Sequence, residues 1–491
     1  MLDFDPAAES LPVGHFIDGA MVEERTEPIA VRRPSDGVAY ADLPNAGAET
    51  VDYAVESALR TFRASDWAIC APRERAKVLN RLADLIDDRR ISLARLEALG
   101  STRPIAQAVG WDVPYLADTF RFFAELADKH GGEVAATAQN RPGLIVAEPS
   151  GVIAAIAPWN FPLVTAGWKL APALAAGNAV VLKPSELTPL SALMLAQLAV
   201  EAGMPPGLFN VVQGDGPTTG EALCRHPAVG KISFTGSTAT GAAIMAASAA
   251  SGIKPMTLEL GGKSPQLVFG DADTELAASC VARGILSNAG QVCVAGSRLI
   301  VQRARHDEMV ERLSALMSQV AAGPTWRETS GFSPIVSQRQ LARIEDIVGR
   351  SLAQGAEPVI GGRSMEGCNG GAFYAPTILA RVTGETAAVR EEIFGPVLTV
   401  QSFEDEEEGV TLAGHPDYGL AAGLYTADLS RALRAMRRME AGTVWINRYG
   451  RSEDFILPTG GFKRSGIGKD LGREAFEASR HHKSVLIDIG D

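Results

Sequence analysis

One cysteine stands in unusual company. In "NAGQVCVAGSR", Asn288 to Arg298, the thiol of Cys293 is surrounded by valine, alanine and glycine, with the amide of Gln291 two residues before it and a guanidinium five after. A cysteine packed in a strand has larger apolar neighbours, whereas small ones leave room for a molecule to reach the sulfur. The stretch therefore reads either as loose core or as a nucleophile. Asn160 lies in "APWNFP", where two prolines fix the backbone and would let its amide aim a donor at one spot; the alternative is an asparagine that merely satisfies a turn. Glu259 closes an apolar run just before a glycine pair in "TLELGGKSPQLVF", either paired for structure or kept available as a base.

Two more turns have the texture of an anion and sugar site. "SFTGSTATG" leads from an apolar run into a small-residue helix, so that backbone amides near Gly236 and Ser237 suit a pyrophosphate, although the spacing is not the usual GxGxxG and the turn alone is weak. "VVLKPSE" ends a run with Lys183 and Glu186, and a carboxylate there suits both hydroxyls of a ribose; a solvated charged turn is the equal alternative. Taken together, the thiol, amide donor, carboxylate base and dinucleotide-like edge suit the oxidation of an aldehyde. Thiolate attack gives a thiohemiacetal whose oxyanion needs donors, and the thioester left after hydride loss needs an activated water.

The elements that must hold these groups follow from periodicity. From Ala48 to Asp128, apolar residues recur at three and four spacing among interleaved charges, which predicts amphipathic helices with a solvated face. From Leu144 onward short apolar runs ("GLIVAEPSGVIAAIAP", "NAVVLKPS", "LFNVVQG", "KISFTGS", "PQLVFG") alternate with helical segments, predicting a doubly wound parallel sheet with function in the turns after its strands. A second alternating region from Ala277 ("SRLIVQ", "EPVIGG", "VLTVQSF", "AAGLYTA", "GTVWIN") predicts a second α/β lobe carrying Cys293. The final "KSVLIDIG" is a lone strand that needs another sheet edge, for which a neighbouring subunit's is a candidate.

Composition narrows the classes. A chain of 491 residues predicts two or three lobes, and a net charge of −12 with acids and bases mixed along the chain argues against nucleic acid as a partner. No run approaches the roughly 20 apolar residues of a membrane span, and the first residues are acidic where a signal peptide is basic then apolar, so the expected location is the cytoplasm. Five cysteines, Cys70, Cys224, Cys280, Cys293 and Cys368, lie at scattered spacings with no CxxC pair. That argues against a disulfide framework and against a metal site.

The motifs "APWNFPL", "KPSE", "FTGSTATG", "LELGGKSP", "GQVCVAGSR", "EEIFGPV" and "GGFKRSGIGKDLG", in this order, resemble those of the NAD(P)-dependent aldehyde dehydrogenase superfamily over nearly the whole chain. The resemblance implies Cys293 as nucleophile, Asn160 with the Cys293 N–H as oxyanion donors, Glu259 as general base, and Lys169 with an acid in a proton relay. That acid is Asp470 here, where many members carry glutamate, and the shorter arm puts the relay in question. For the cofactor it implies NAD, with NADP possible. Lys183 and Glu186 would contact the adenosine ribose, Gly236 and Ser237 the pyrophosphate, and Glu392 and Phe394 the nicotinamide ribose, with Ile156 and Trp159 also at the cofactor. Glu186 would repel a 2′-phosphate, favouring NAD.

The same resemblance implies two Rossmann-like domains and a small β oligomerisation element: a cofactor domain from 1–130 and 150–260, a catalytic domain over 261–455, and the element from 131–149 and 475–491. A homodimer or homotetramer is the implied assembly. Phe161, Trp168, Val292, Val294 and Thr459 should line the substrate tunnel, and Trp168 stands where semialdehyde-specific relatives tend to carry arginine for a substrate carboxylate, which argues against succinic semialdehyde. A broad aliphatic or aromatic aldehyde range is the leading reading. The alternatives are an omega-aminoaldehyde or betaine aldehyde, received by Glu453 and Asp454 with Arg451 opposing, and a catalytically inactive structural or binding homologue. An acylating branch is disfavoured by Glu259, and a hydrolase without redox chemistry by the cofactor turns.

Overall fold

The computed structural model of the protein describes residues 2–24, 27–365 and 370–489. Among the described residues two large sheets, a three-stranded one and two two-stranded ribbons carry the chain. The first has eight strands in the order Ala20–Val22, His15–Ile17, Phe209–Val211, Ala179–Lys183, Val152–Ile156, Val229–Thr235, Met256–Glu259 and Gly466–Ile467. Its five central strands are parallel, and the outer strands at both ends run antiparallel. "VIAAI" and "AVVLK" are buried at every position, as strands covered by helices on both faces must be.

Strand order decides where a ligand can enter. The parallel part of the sheet starts at Val152–Ile156, builds outward through Ala179–Lys183 to Phe209–Val211, then crosses back to Val229–Thr235 on the other side. The reversal opens a crevice at the carboxyl ends of Val152–Ile156 and Val229–Thr235, the place where α/β sheets bind nucleotides. The turn with Asn160 leaves one of these strands and the turn with Gly236 leaves the other. Helix Pro162–Ala175 starts immediately after the first turn, with Pro162 at its first position where no N–H is needed. All of its residues are buried, and at Gly167 it lies so close to helix Val113–Leu126 that a Cβ would come within 2.5 Å of Leu116.

The second sheet has seven strands in the order Glu357–Ile360, Thr377–Ala380, Val397–Phe403, Arg298–Gln302, Pro265–Val268, Ala421–Tyr425 and Thr443–Ile446. Only its first strand is antiparallel to its neighbour. Cys293 precedes Arg298–Gln302, so it sits at the amino end of a strand. The expectation that function lies after strands holds for the first sheet and is reversed for the cysteine. The site is formed where the carboxyl ends of one sheet meet the amino ends of the other.

The third sheet supplies the edge that the last strand needs, from the 131–149 segment that the family resemblance groups with it and not from a neighbouring subunit. Arg480–Leu486 pairs antiparallel with Gly143–Pro149 of its own chain, from Arg480↔Pro149 to Leu486↔Gly143, and Glu133–Ala135 completes the sheet. A partner more than 300 residues away leaves no trace in local periodicity. The helical region predicted from Ala48 resolves into Ala48–Ala64, Pro72–Asp88, Arg90–Gly100 and Val113–Leu126, with Leu79, Leu82, Ala83 and Ile86 making the buried stripe of the second. Its stretch from Ser101 to Asp112 is not a solvated face: Ser101 to Arg103 are buried, and Arg103 and Asp112 form a buried ion pair at 2.7 Å. No described helix is long and apolar enough to cross a membrane. Cys70, Cys224, Cys280 and Cys293 are free thiols, and Cys368 lies outside the described residues.

Candidate active site

A cavity of about 500 Å³ lies between the two sheets. Cys293, Asn160 and Glu259 line it, together with Trp159, Gly236, Ser237, Glu392 and Phe394 from the cofactor set and Phe161, Trp168, Val292, Val294 and Thr459 from the tunnel set. Ile156, Lys183, Glu186 and Lys169 are not in its wall. Ile156 and Lys183 are register partners at the ends of adjacent parallel strands. The Lys183 ammonium is buried, donates to the Pro184 carbonyl at 2.9 Å and lies 3.6 Å from the partly exposed Glu186 carboxylate, so a carboxylate does stand at that sheet edge. Ser237 caps helix Thr238–Ser251, its hydroxyl accepting from the Thr240 N–H at 3.1 Å.

The cysteine loop is held in a costly shape. Asn288 (φ 48°) and Ala289 (φ 51°) are left-handed, followed by Gly290 at φ 72°. For residues with a Cβ this conformation costs on the order of 1–3 kcal/mol each, and it persists only where the surroundings over-determine it. Here they do. Asn288 accepts from the Thr102 hydroxyl at 2.7 Å and donates to the Asn160 carbonyl at 2.9 Å. Gln291 donates to the carbonyls of Asn288 and Pro334 at 3.0 and 2.9 Å and accepts from the Val336 N–H at 2.9 Å. Asn160 donates its side-chain amide to the Gln291 carbonyl at 2.9 Å, tying the oxyanion candidate to the loop of the nucleophile. In the sequence Asn288 stands only as the first residue of the cysteine stretch and Gln291 only as a neighbour of the thiol. The signal that could have found them is the run of amide residues around an Ala-Gly pair.

Burial sets the electrostatics. The Cys293 thiol is pushed up to about 12 by burial, with Arg451 opposing and Glu259 reinforcing the shift. The Glu259 carboxyl is held well above its usual range, mainly by burial and then by the Asp470 carboxylate, against Lys169, Arg451 and Lys469. Its Oε1 has no hydrogen-bond partner. The shorter arm of Asp470 still reaches: the Lys169 ammonium lies 3.2 Å from Asp470 and 3.4 Å from the Ser233 hydroxyl, with both charged side chains buried. Asp470 is brought there by a backbone bridge to Thr459, with N···O distances of 2.7 and 2.9 Å. Glu392 accepts from the Gly262 N–H at 2.9 Å and is raised to about 7 by burial. Trp159 and Phe394 meet edge to face at 5.2 Å, with Phe394 itself left-handed at φ 56°.

The tunnel end of the cavity is aromatic and cationic. Arg103, Gln107 and Trp111, from the segment read as solvated helix, line it, and the Arg103 guanidinium stacks on Phe161 at 4.5 Å. Arg451 also lines it, over the Trp168 ring at 5.0 Å and hydrogen-bonded to the Thr459 hydroxyl. Glu453 and Asp454 are exposed and stand outside the lining.

A thiol, a side-chain amide and a buried carboxylate on one cavity, beside the switch point of a nucleotide-binding type of sheet, are the groups that an oxidation through a covalent intermediate requires. The chain belongs to the aldehyde dehydrogenase family, whose model matches residues 21–485. It is 41% identical over 477 residues to a betaine aldehyde dehydrogenase of Cereibacter sphaeroides, covering 97% of each chain. Among solved structures it superimposes with a TM-score of 0.96 on an indole-3-acetaldehyde dehydrogenase of P. syringae in complex with NAD+, at 39% identity and 98% of each chain. It matches a gamma-glutamyl-gamma-aminobutyraldehyde dehydrogenase of Burkholderia cenocepacia at the same score, with 42% identity over 99% of this chain and 98% of that one.

Proposed function

We propose that the protein oxidises an aldehyde to a carboxylic acid with NAD, through a thiohemiacetal and then a thioester on Cys293. The observation that carries this reading is that Cys293, Asn160 and Glu259, from three distant segments, line one cavity. The residues present suit NAD: the crevice at the strand reversal, the capped helix N-terminus after Gly236, the Glu392 carboxylate facing the same cavity, and the Glu186 carboxylate where a 2′-phosphate would be repelled. When bound, NAD supplies the hydride acceptor.

The chain's own residues do the rest. The Cys293 thiol gives its proton to water in the cavity, the sulfur attacks the aldehyde carbon, and the Asn160 amide and the Cys293 N–H receive the oxyanion. Glu259, once ionised, takes a proton from the water that attacks the thioester; the Lys169–Asp470 pair behind it provides an onward route for that proton. The first sheet serves as the cofactor domain and the second as the catalytic domain. The exposed strand Arg480–Leu486, with Leu486, Ile487 and Ile489 open to solvent, supports assembly as a homodimer or homotetramer through the third sheet. Free thiols support a reducing compartment, the cytoplasm.

The test is NADH appearance by absorbance with hexanal and benzaldehyde, using NAD and then NADP. Wild type is expected to turn over with NAD preferred, and Cys293→Ala to make no NADH while retaining NAD binding in a fluorescence titration. Turnover near wild type in Cys293→Ala would remove Cys293 from the mechanism.

A further inference from the structure

The tunnel carries a cation with no ion-pair partner among the described residues. Of the arginines in the cavity wall, Arg103 is paired with Asp112, and Arg343 donates to the Glu392 carbonyl at 3.0 Å. Arg283 donates to the Cys280 sulfur at 3.3 Å, which directs it to the protein. Arg451 has no carboxylate within 4 Å among the described residues; its guanidinium lies over the Trp168 ring, 5.0 Å from the centroid, and bonds only the Thr459 hydroxyl. Trp168 and Thr459 are both buried, with the Trp168 indole beside the Tyr115 hydroxyl. Of the two acids of the cavity wall, Glu259 feels the Arg451 charge without forming an ion pair with it, and Glu392 accepts from the Gly262 N–H. The tunnel end thus presents donors and no acidic acceptor, in apolar walls that amplify the charge.

Resting on the aldehyde-oxidising reading above, we infer that the substrate is an aldehyde that carries a carboxylate at its far end, and that Arg451 is the residue that receives it. A guanidinium fork fixed by stacking is pre-organised for a carboxylate and pays little further entropy on binding it. A trimethylammonium or ammonium end would meet a like charge there, with its supposed partners Glu453 and Asp454 outside the cavity lining.

The experiment compares 6-oxohexanoate with hexanal, the same chain with and without the carboxylate, as the ratio of their kcat/KM values with NAD. The ratio cancels any effect of Arg451 on the Cys293 thiol, because both substrates react with it. Wild type is expected to prefer 6-oxohexanoate. Arg451→Gln should reduce the ratio about 50-fold, as loss of a charged hydrogen-bond partner does, and Arg451→Lys should restore part of it. Equal kcat/KM values in wild type, or an unchanged ratio in Arg451→Gln, would overturn the inference. Should Arg451→Gln not fold, 6-hydroxyhexanoate and hexanol are compared as protectants of wild-type Cys293 against iodoacetamide: stronger protection by 6-hydroxyhexanoate is expected, and equal protection refutes. Turnover of hexanal without preference sinks this inference alone, whereas no NADH from either substrate sinks the aldehyde-oxidising reading itself.

Discussion

Asn160→Ala separates positioning from transition-state stabilisation. Asn160 is 6% exposed, and its amide nitrogen donates to the Gln291 carbonyl at 2.9 Å. An amide nitrogen has two N–H groups, so one fixes the side chain and the second remains for the cavity. Alanine removes both. Loss of the anchoring bond costs about 0.5–1.5 kcal/mol of stability, and the Gln291 carbonyl keeps the Asn288 amide at 3.4 Å. Loss of an oxyanion donor costs about 2.7–4 kcal/mol of transition-state stabilisation, a fall of roughly 10²–10³ in rate. Activity should therefore drop far more than stability. The assay is kcat/KM for hexanal, set beside iodoacetamide alkylation of Cys293 and an NAD titration. A kcat/KM within tenfold of wild type would refute the oxyanion role. A loss of alkylation as large as the loss of kcat/KM would show that Asn160 acts by placing the thiol, since alkylation forms no oxyanion.

Glu259→Gln should release about one NADH per site in a burst and then stall at the thioester, with the burst read by stopped-flow absorbance; absence of the burst would place Glu259 in thiol activation as well. The pH dependence follows from burial of the thiol. Because burial disfavours the thiolate and pushes the Cys293 thiol up to about 12, alkylation of Cys293 in cofactor-free protein should rise about tenfold per pH unit from 7 to 10, followed by mass spectrometry of the Cys293 peptide. A plateau below pH 8 would contradict a thiol held neutral by its surroundings.

Much was legible locally because strands and turns are local events. Apolar runs bounded by Gly and Pro located the strands that carry Glu259 and Lys183 and the turns that carry Asn160 and Gly236, since each run must bury itself and each turn needs its own backbone chemistry. Cys293 could be singled out because small neighbours are a property of the sequence itself. What periodicity could not supply was register between distant segments: the strand reversal that opens the crevice, the pairing of Arg480–Leu486 with Gly143–Pro149, and the bridge from Thr459 that carries Asp470 to Lys169. Arg451 and Glu453 are two residues apart in one charged loop, and no pattern in their spacing says which faces the cavity. Only the tertiary structure decided that, by stacking Arg451 on a tryptophan nearly 300 positions earlier and leaving Glu453 in water, because side-chain direction in an irregular loop is set by what packs against it.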